Sequence, residues 1–462
     1  MQNDRPGGLS YMPDITVTNW FGDLVSHAQA VVEASSAADV VNALKNPSQY
    51  PSPVRAIGAN HSTAPCAVVN GGTILKMSGM NKILNISNGA VTAEAGALYI
   101  DVAKELEKQN LQFYVNTEIG NLSVGSAACS GTKDSSMPGE YGQVGSYVSR
   151  IKMALPSGDF LEVTDSQPDL MQMVRSSYGT FGIVCEATFR VRPIQPMAVR
   201  HQTFTLDDFV QKLPALKAGG ESLMYYVFPF DNLITVEFRK YDPTATGSPN
   251  RAIWPLRNYL WSAAGPLVCA NAEKDIPDKT VRYQVIDGFN ALWRWKLENL
   301  IKSGNTVATD QIIRYPPVGG ASRYTFSLWA FPEETYPTVL RACFQFCEQY
   351  YQTNGYRINM LFVGYRVAKD QNSLLSYSYD GDVMTIDPVS TANPGWDQFL
   401  VAYNQFCSDQ GGIPLFNQTY GITPAQAQKA WGGRLQAFAA ARKTYDPNGR
   451  LLNDYFRDLL GN

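Results

Sequence analysis

The chain has 462 residues, more than one hydrophobic core usually supports, so two or more domains are expected. Hydrophobic residues make up 45% and charged residues 17%, with a net charge of −3, which argues against disorder and gives no basic surface for nucleic acid. Seven cysteines, an odd number with no CxxC pair, argue against a disulfide framework and a zinc site, and three histidines are too few for a multi-histidine metal centre.

The start of the chain, Met1 to Gly8, is polar, and no apolar run reaches about 18 residues. A soluble, cytoplasmic protein is the expectation. A helix is predicted over 37–44, opened by the Ser35-Ser36 cap and closed before Pro47. Residues 54–57 read as a strand that runs into the loop Gly58-Ala59-Asn60-His61-Ser62. So many small residues let backbone N–H groups converge on an anion without side chains in the way. Strands follow at 72–77 and 90–96, and an amphipathic helix at 100–109.

Residues 121–132 are nearly all small, which suits close backbone approach to a flat ligand better than ordinary core. Strands are expected at 147–155, 160–164 and 182–191, with Pro156-Ser157-Gly158-Asp159 turning between the first two, and Pro193 and Pro196 marking a domain boundary. Beyond it the chain becomes aromatic-rich. A helix over 282–302 carries Val285, Phe289, Leu292, Trp293, Leu297 and Leu300 at helical spacing, read as a core stripe. Strands at 324–331 and 357–367 alternate with helices at 333–352 and 396–409, the pattern of an α+β domain with an antiparallel sheet. Trp254, Tyr259 and Trp261 are expected to pack inside, with a pocket wall or membrane contact as alternatives.

Four pieces, in this order and separation, resemble the flavoproteins of the vanillyl-alcohol oxidase or p-cresol methylhydroxylase superfamily. They are Gly58 to Ser62, the stretch Ile119-Gly120-Asn121-Leu122-Ser123-Val124-Gly125-Ser126, the turn and strand Gly179-Thr180-Phe181-Gly182-Ile183-Val184, and Tyr445 to Tyr455. The resemblance implies an α+β, two-domain architecture: an FAD-binding domain over 1–195, a substrate-binding cap over 196–423, and a return over 424–462 that completes the first. It implies FAD held by Ile57, Gly58, Ala59, Asn60, Ser62, Ile119, Gly120, Asn121, Ser123, Val124, Gly125, Ser126, Gly182, Ile183, Val184 and Asn453. It also implies that His61 bonds covalently to the flavin 8α-methyl carbon, for which a neutral imidazole is a competent nucleophile. Some relatives add a cysteine link, but 116–120 holds no cysteine, so single attachment is expected. Cys66 and Cys129 read as small packing residues.

The reaction implied is hydride transfer to flavin N5 from a C–H next to oxygen or nitrogen, with dioxygen or another acceptor reoxidising the cofactor. Oxidase is favoured over dehydrogenase, because in related proteins the small residue near Gly125 influences dioxygen access, and the resemblance implies that glycine there permits it. The nearest branch in motif is that of alditol and sugar-lactone oxidases, but their cap-strand Glu-x-Arg pair aligns with Asn359 and Leu361, and their His-Trp-Gly/Ala-Lys signature with Ala430 to Arg434. These departures weigh against a simple polyol or sugar lactone and towards a bulky, moderately polar molecule. Strand alternation would set Asn359, Leu361 and Tyr365 on one face, towards the cavity. The candidates for catalysis are Tyr365, Asn359, Tyr379, Arg366 and Asn417. Oxidative ring closure, or flavin binding without activity, remain the alternatives.

Overall fold

The computed structural model describes residues 15–245, 251–316 and 323–461, so the polar stretch Met1 to Gly8 lies outside it. Local signals in the first third hold closely. The helix Ala37–Lys45 opens on a capping box in which the Ser36 hydroxyl accepts from Asp39 N–H while the Asp39 carboxylate accepts from Ser36 N–H. Strands Ala30–Glu33, Thr73–Lys76 and Val54–Ile57 form a small parallel sheet with Thr73–Lys76 in the middle. Beside it stands an antiparallel sheet in the order Phe160–Thr164, Val148–Ala154, Ile183–Pro193, Ala90–Glu94, Ile83–Ser87, with Leu111–Phe113 also pairing along Ile183–Pro193.

The rest of the chain builds a larger, mainly antiparallel sheet. Its path runs Ser303–Thr306, Met197–Thr205, Leu233–Tyr241, Ser222–Phe228, Phe362–Val367, Val383–Thr385, Trp329–Pro332, Ile413–Pro414. Helices Tyr336–Asn354 and Trp396–Asp409 add their apolar faces to one continuous core, and Lys279–Asn299 to a second. The fold is α+β, as expected.

The chain's end returns to its beginning. Arg450 donates to the carbonyls of Ala43, Leu44 and Tyr50, and its own carbonyl accepts from Val54 N–H. The buried Asp446 carboxylate accepts from the amides of Arg450 and Leu451, which fixes the turn that aims that guanidinium. An Asp-x-x-x-Arg spacing thus has a mechanical reason.

Three expectations are corrected. Residues 324–331 form two strands, because Thr325–Phe326 pairs with Asp387–Ser390 while Trp329–Pro332 pairs with Val383–Thr385, and the chain changes partner at Ser327 and Leu328. Residues 357–361 stay outside the sheet, which begins only at Phe362–Val367, so strand alternation does not extend back to Asn359. The helix Lys279–Asn299 buries Tyr283, Ile286, Asn290, Trp293 and Leu297, leaving Val285 and Leu292 of the predicted stripe exposed; Leu300, just past its end, is exposed as well. Apolar residues occupy two faces of that helix, and spacing alone does not say which faces inward. Residues 121–132 include the short helix Val124–Cys129.

Candidate active site

The strand Val54–Ile57 delivers the loop of residues 58–62 to the wall of a cavity of about 1040 Å³. Asn60 sits at a φ of 54°, a left-handed position that asparagine tolerates better than most residues. Its carbonyl accepts from Trp20 N–H, which seats the Trp20 ring on His61 with centroids 4.9 Å apart and planes 22° from parallel. Burial pushes the imidazole down to about 4, so His61 is neutral at ordinary pH. Among the described residues, the amides of Ala59, Asn60, His61 and Ser62 find no protein acceptor.

The second loop meets the first at close range. A Cβ added at Gly58 would lie 2.1 Å from Ser123 Oγ, so only hydrogen fits there. Arg55 ties the cavity wall together: its buried guanidinium donates to the carbonyls of Cys66, Tyr178, Gly179 and Leu451, and no carboxylate hydrogen-bonds it among the described residues. Two buried polar atoms of lining residues, Asn417 Oδ1 and Gln418 Oε1, have no hydrogen-bond partner among the described residues. Free amides, a buried cation with no carboxylate in direct contact among the described residues, and unpartnered polar atoms around a large space fit an anionic dinucleotide.

A second cavity of about 610 Å³ shares Ile119, Leu122, Thr132, Phe326 and Gln418 with the first. Aromatic rings of Trp261, Tyr324 and Tyr365 line it, together with Glu118, Lys133 and Asp387. Lys133 Nζ lies 3.3 Å from Asp387 Oδ2 and 4.0 Å from the Tyr365 ring centroid, with both charged side chains less than a tenth exposed. Asp387 Oδ1 makes no hydrogen bond among the described residues, although the Thr385 hydroxyl and the Trp329 amide favour the charged carboxylate. Burial raises this carboxyl to about 6, against the opposing pull of Lys133. Glu118 is ion-paired with the fully buried Arg257, whose guanidinium burial pushes down to about 10.

Of the residues expected to hold the cofactor, His61, Ile57, Gly58, Ala59, Asn60, Ser62, Ile119, Ser123, Gly125, Ser126, Ile183 and Val184 line the larger cavity. Five do not. Gly120 packs on Ile312 and Ile313, and Gly182 on the strand holding Met153 and Ala154, so these glycines serve contacts between protein segments. Val124 points into the core, Asn121 clamps the backbone of Tyr315, and Asn453 caps the last helix while donating to Pro65 and Val68 carbonyls. Cys66 and Cys129 are buried free thiols of the wall.

Among the catalytic candidates, Tyr365 lines the second cavity and Asn417 the first. Asn359 is fully buried and spends its amide on Ser390 and Thr391, a structural clamp. Leu361 is buried in the second core. Arg366 is engaged by Glu333 and Asp382, and Tyr379 lies under the Arg434 guanidinium; neither lines either cavity. Trp254 is buried and Trp261 faces the second cavity, so only Tyr259 of that trio is exposed. No helix among the described residues is long and apolar enough to cross a membrane. Glu118, Lys133 and Asp387 were missed. The available signal was a lone acid inside the apolar run Val383-Met384-Thr385-Ile386-Asp387-Pro388-Val389, since buried charges are rare without a purpose or a partner.

Comparisons with known proteins agree with this geometry. Residues 28–164 match the FAD binding domain family, and residues 187–459, more than half of the chain, match the D-arabinono-1,4-lactone oxidase family. The chain is 21% identical over 447 residues to L-gulono-1,4-lactone dehydrogenase of Mycobacterium tuberculosis, covering 96% of this chain and 99% of the relative. It is likewise 21% identical to L-gulonolactone oxidase of Mus musculus, covering 96% and 97%. Its fold is similar to that of a solvent-stable cholesterol oxidase, with a TM-score of 0.76 and 16% identity over 97% of this chain and 98% of that one. A cholesterol oxidase from B. sterolicum gives a TM-score of 0.71 at 15% identity, covering 99% of each chain. The chain is therefore an FAD-dependent oxidoreductase of the vanillyl-alcohol oxidase superfamily and belongs to the D-arabinono-1,4-lactone oxidase family.

Proposed function

We propose that this protein oxidises a hydroxylated ring the size of a small lactone, or a somewhat bulkier molecule, at a carbon bearing a hydroxyl group. The observation that carries this reading is the wall shared by the two cavities, which would let a substrate in the second reach a cofactor in the first. The aromatic rings lining the second cavity suit the apolar face of a ring, and Glu118, Lys133 and Asp387 suit its hydroxyls. Bound FAD would supply a two-electron oxidant that takes hydride at N5, with dioxygen in this reading as the acceptor that reoxidises it.

The covalent link through His61 belongs to the same proposal, supported by a neutral imidazole at the wall of the larger cavity. Residues 1–195 and 424–462 hold the cofactor and residues 196–423 cover it; the contacts of Arg450 with Ala43, Leu44 and Tyr50 support that division. The test is anaerobic titration of the purified yellow protein with L-gulono-1,4-lactone and D-arabinono-1,4-lactone. Substrate-dependent bleaching is expected with at least one of them. A flavin that stays oxidised with both would overturn the lactone reading.

A further inference from the structure

We infer that Asp387 is the group that accepts the proton of the substrate hydroxyl, with Lys133 as the positioning residue that holds it ready. The inference rests on the preceding reading of the second cavity as the substrate site. Asp387 opens the strand Asp387–Ser390, paired with Val363 of the neighbouring strand, so its backbone is fixed by the sheet. Its two carboxylate oxygens have different surroundings. Oδ2 faces Lys133 Nζ at 3.3 Å, while Oδ1, buried in a residue that lines the cavity, makes no hydrogen bond to the described residues, with the Thr385 hydroxyl and the Trp329 amide near enough to favour the charged form. Leaving such an acceptor unpaired costs about 1 to 3 kcal/mol, more for a charged group, so the atom is one that a bound hydroxyl would satisfy.

Lys133 reaches the pair from the segment after the helix Val124–Cys129 and is itself constrained, its ammonium lying over the Tyr365 ring at 4.0 Å. The other titratable groups around Asp387 are Tyr225, Tyr336, Tyr365, Tyr377 and Cys407, all pushed well above their ordinary values by burial. Each is therefore neutral at physiological pH. Lys133 is the only cation in direct contact with Asp387 among the described residues; Arg239, ion-paired with Asp134, and Asp134 itself act electrostatically on Tyr365. A carboxyl lifted to about 6 by burial is ionised at neutral pH yet basic enough to hold a proton, which is the compromise a general base requires.

The step balances. The hydroxyl O–H proton passes to Asp387 Oδ1, converting the carboxylate to the neutral acid, while the hydrogen on the adjacent carbon leaves with its electron pair to FAD. The C–O single bond becomes a carbonyl, the substrate loses two electrons, and the proton later returns to solvent. Lys133 keeps the acceptor anionic until substrate arrives.

The experiment is anaerobic stopped-flow bleaching of the holoenzyme by the same two lactones across pH 5 to 9, with flavin content and circular dichroism as folding controls. In the unaltered protein the limiting bleaching rate should rise with pH through about 6 and then level, because only the carboxylate accepts a proton. Asp387→Asn, nearly isosteric, should lose that limb and lower the limiting rate by about 100-fold or more, with substrate affinity changed only a few-fold. Lys133→Met removes the charge that favours ionisation, so its limb should move to higher pH. An Asp387→Asn protein that bleaches within about threefold of the unaltered rate and keeps the limb overturns the inference while leaving the lactone reading standing. A Lys133→Met limb that does not move overturns the role of Lys133. Absence of bleaching in the unaltered protein overturns the substrate reading, and the inference with it.

Discussion

Gly58→Ala tests whether the two loops form the cofactor clamp. The added methyl would sit 2.1 Å from Ser123 Oγ and 2.4 Å from Ser123 Cβ, against 3.4 Å for ordinary contact. Rotating the hydroxyl away removes only the first clash. The second involves a carbon fixed to the backbone, so the loops must separate by about 1 Å. Forcing a methyl into a packed site costs about 1 to 3 kcal/mol, which corresponds to roughly 5- to 150-fold weaker FAD binding if the strain is relieved by opening the clamp. The measurement is FAD titration of apoprotein in the His61→Ala background, where the flavin exchanges freely. Combining Gly58→Ala with Ser123→Gly removes both offending atoms and should restore most of the affinity. Unchanged FAD affinity in the single variant, or failure of the second change to rescue it, would refute the reasoning.

His61→Ala should move the yellow colour of acid-precipitated protein from pellet to supernatant; colour in the supernatant for both proteins would show that no link forms. Arg239→Met should destabilise the fold by about 3 to 5 kcal/mol, read from urea unfolding, because Arg239 is buried between Asp134 and Glu237 and its loss strands two carboxylates. Burial works to raise the Glu237 carboxyl, but Arg239 and His201 outweigh it and hold the group at about 2, below the ordinary 4.5. A depressed carboxyl contributes stability above its unfolded value and loses it as pH falls, so the urea midpoint should drop between about pH 4.5 and 2, and less steeply in Arg239→Met. A slope equal in both proteins would assign the acid sensitivity elsewhere.

Much of the cofactor cavity could be read from the chain, because a loop of small residues after a strand does its work with backbone atoms close together in sequence. His61 and Gly58 fall in one such loop, and Ser123, Gly125 and Ser126 in another. The failures had a common origin. Gly120 and Gly182 answer to Ile312 and Ala154, residues far along the chain or on another strand, and sequence does not distinguish a glycine beside a ligand from one beside another segment. Asn359 was misplaced because alternation was extended over residues that are not in the sheet.

By itself, then, the sequence determined the first helix with its cap, most of the short strands of the first third and the two glycine-lined loops, all consequences of local backbone preference and short-range pairing. Only the tertiary structure decided which face of Lys279–Asn299 is buried, that Arg366 and Tyr379 lie away from the cavities, and that Lys133 meets Asp387 across 254 positions of chain. That meeting is set by how the large sheet packs against the loops of the smaller ones. Periodicity encodes which residues of one element share a face, but not which distant element that face will meet.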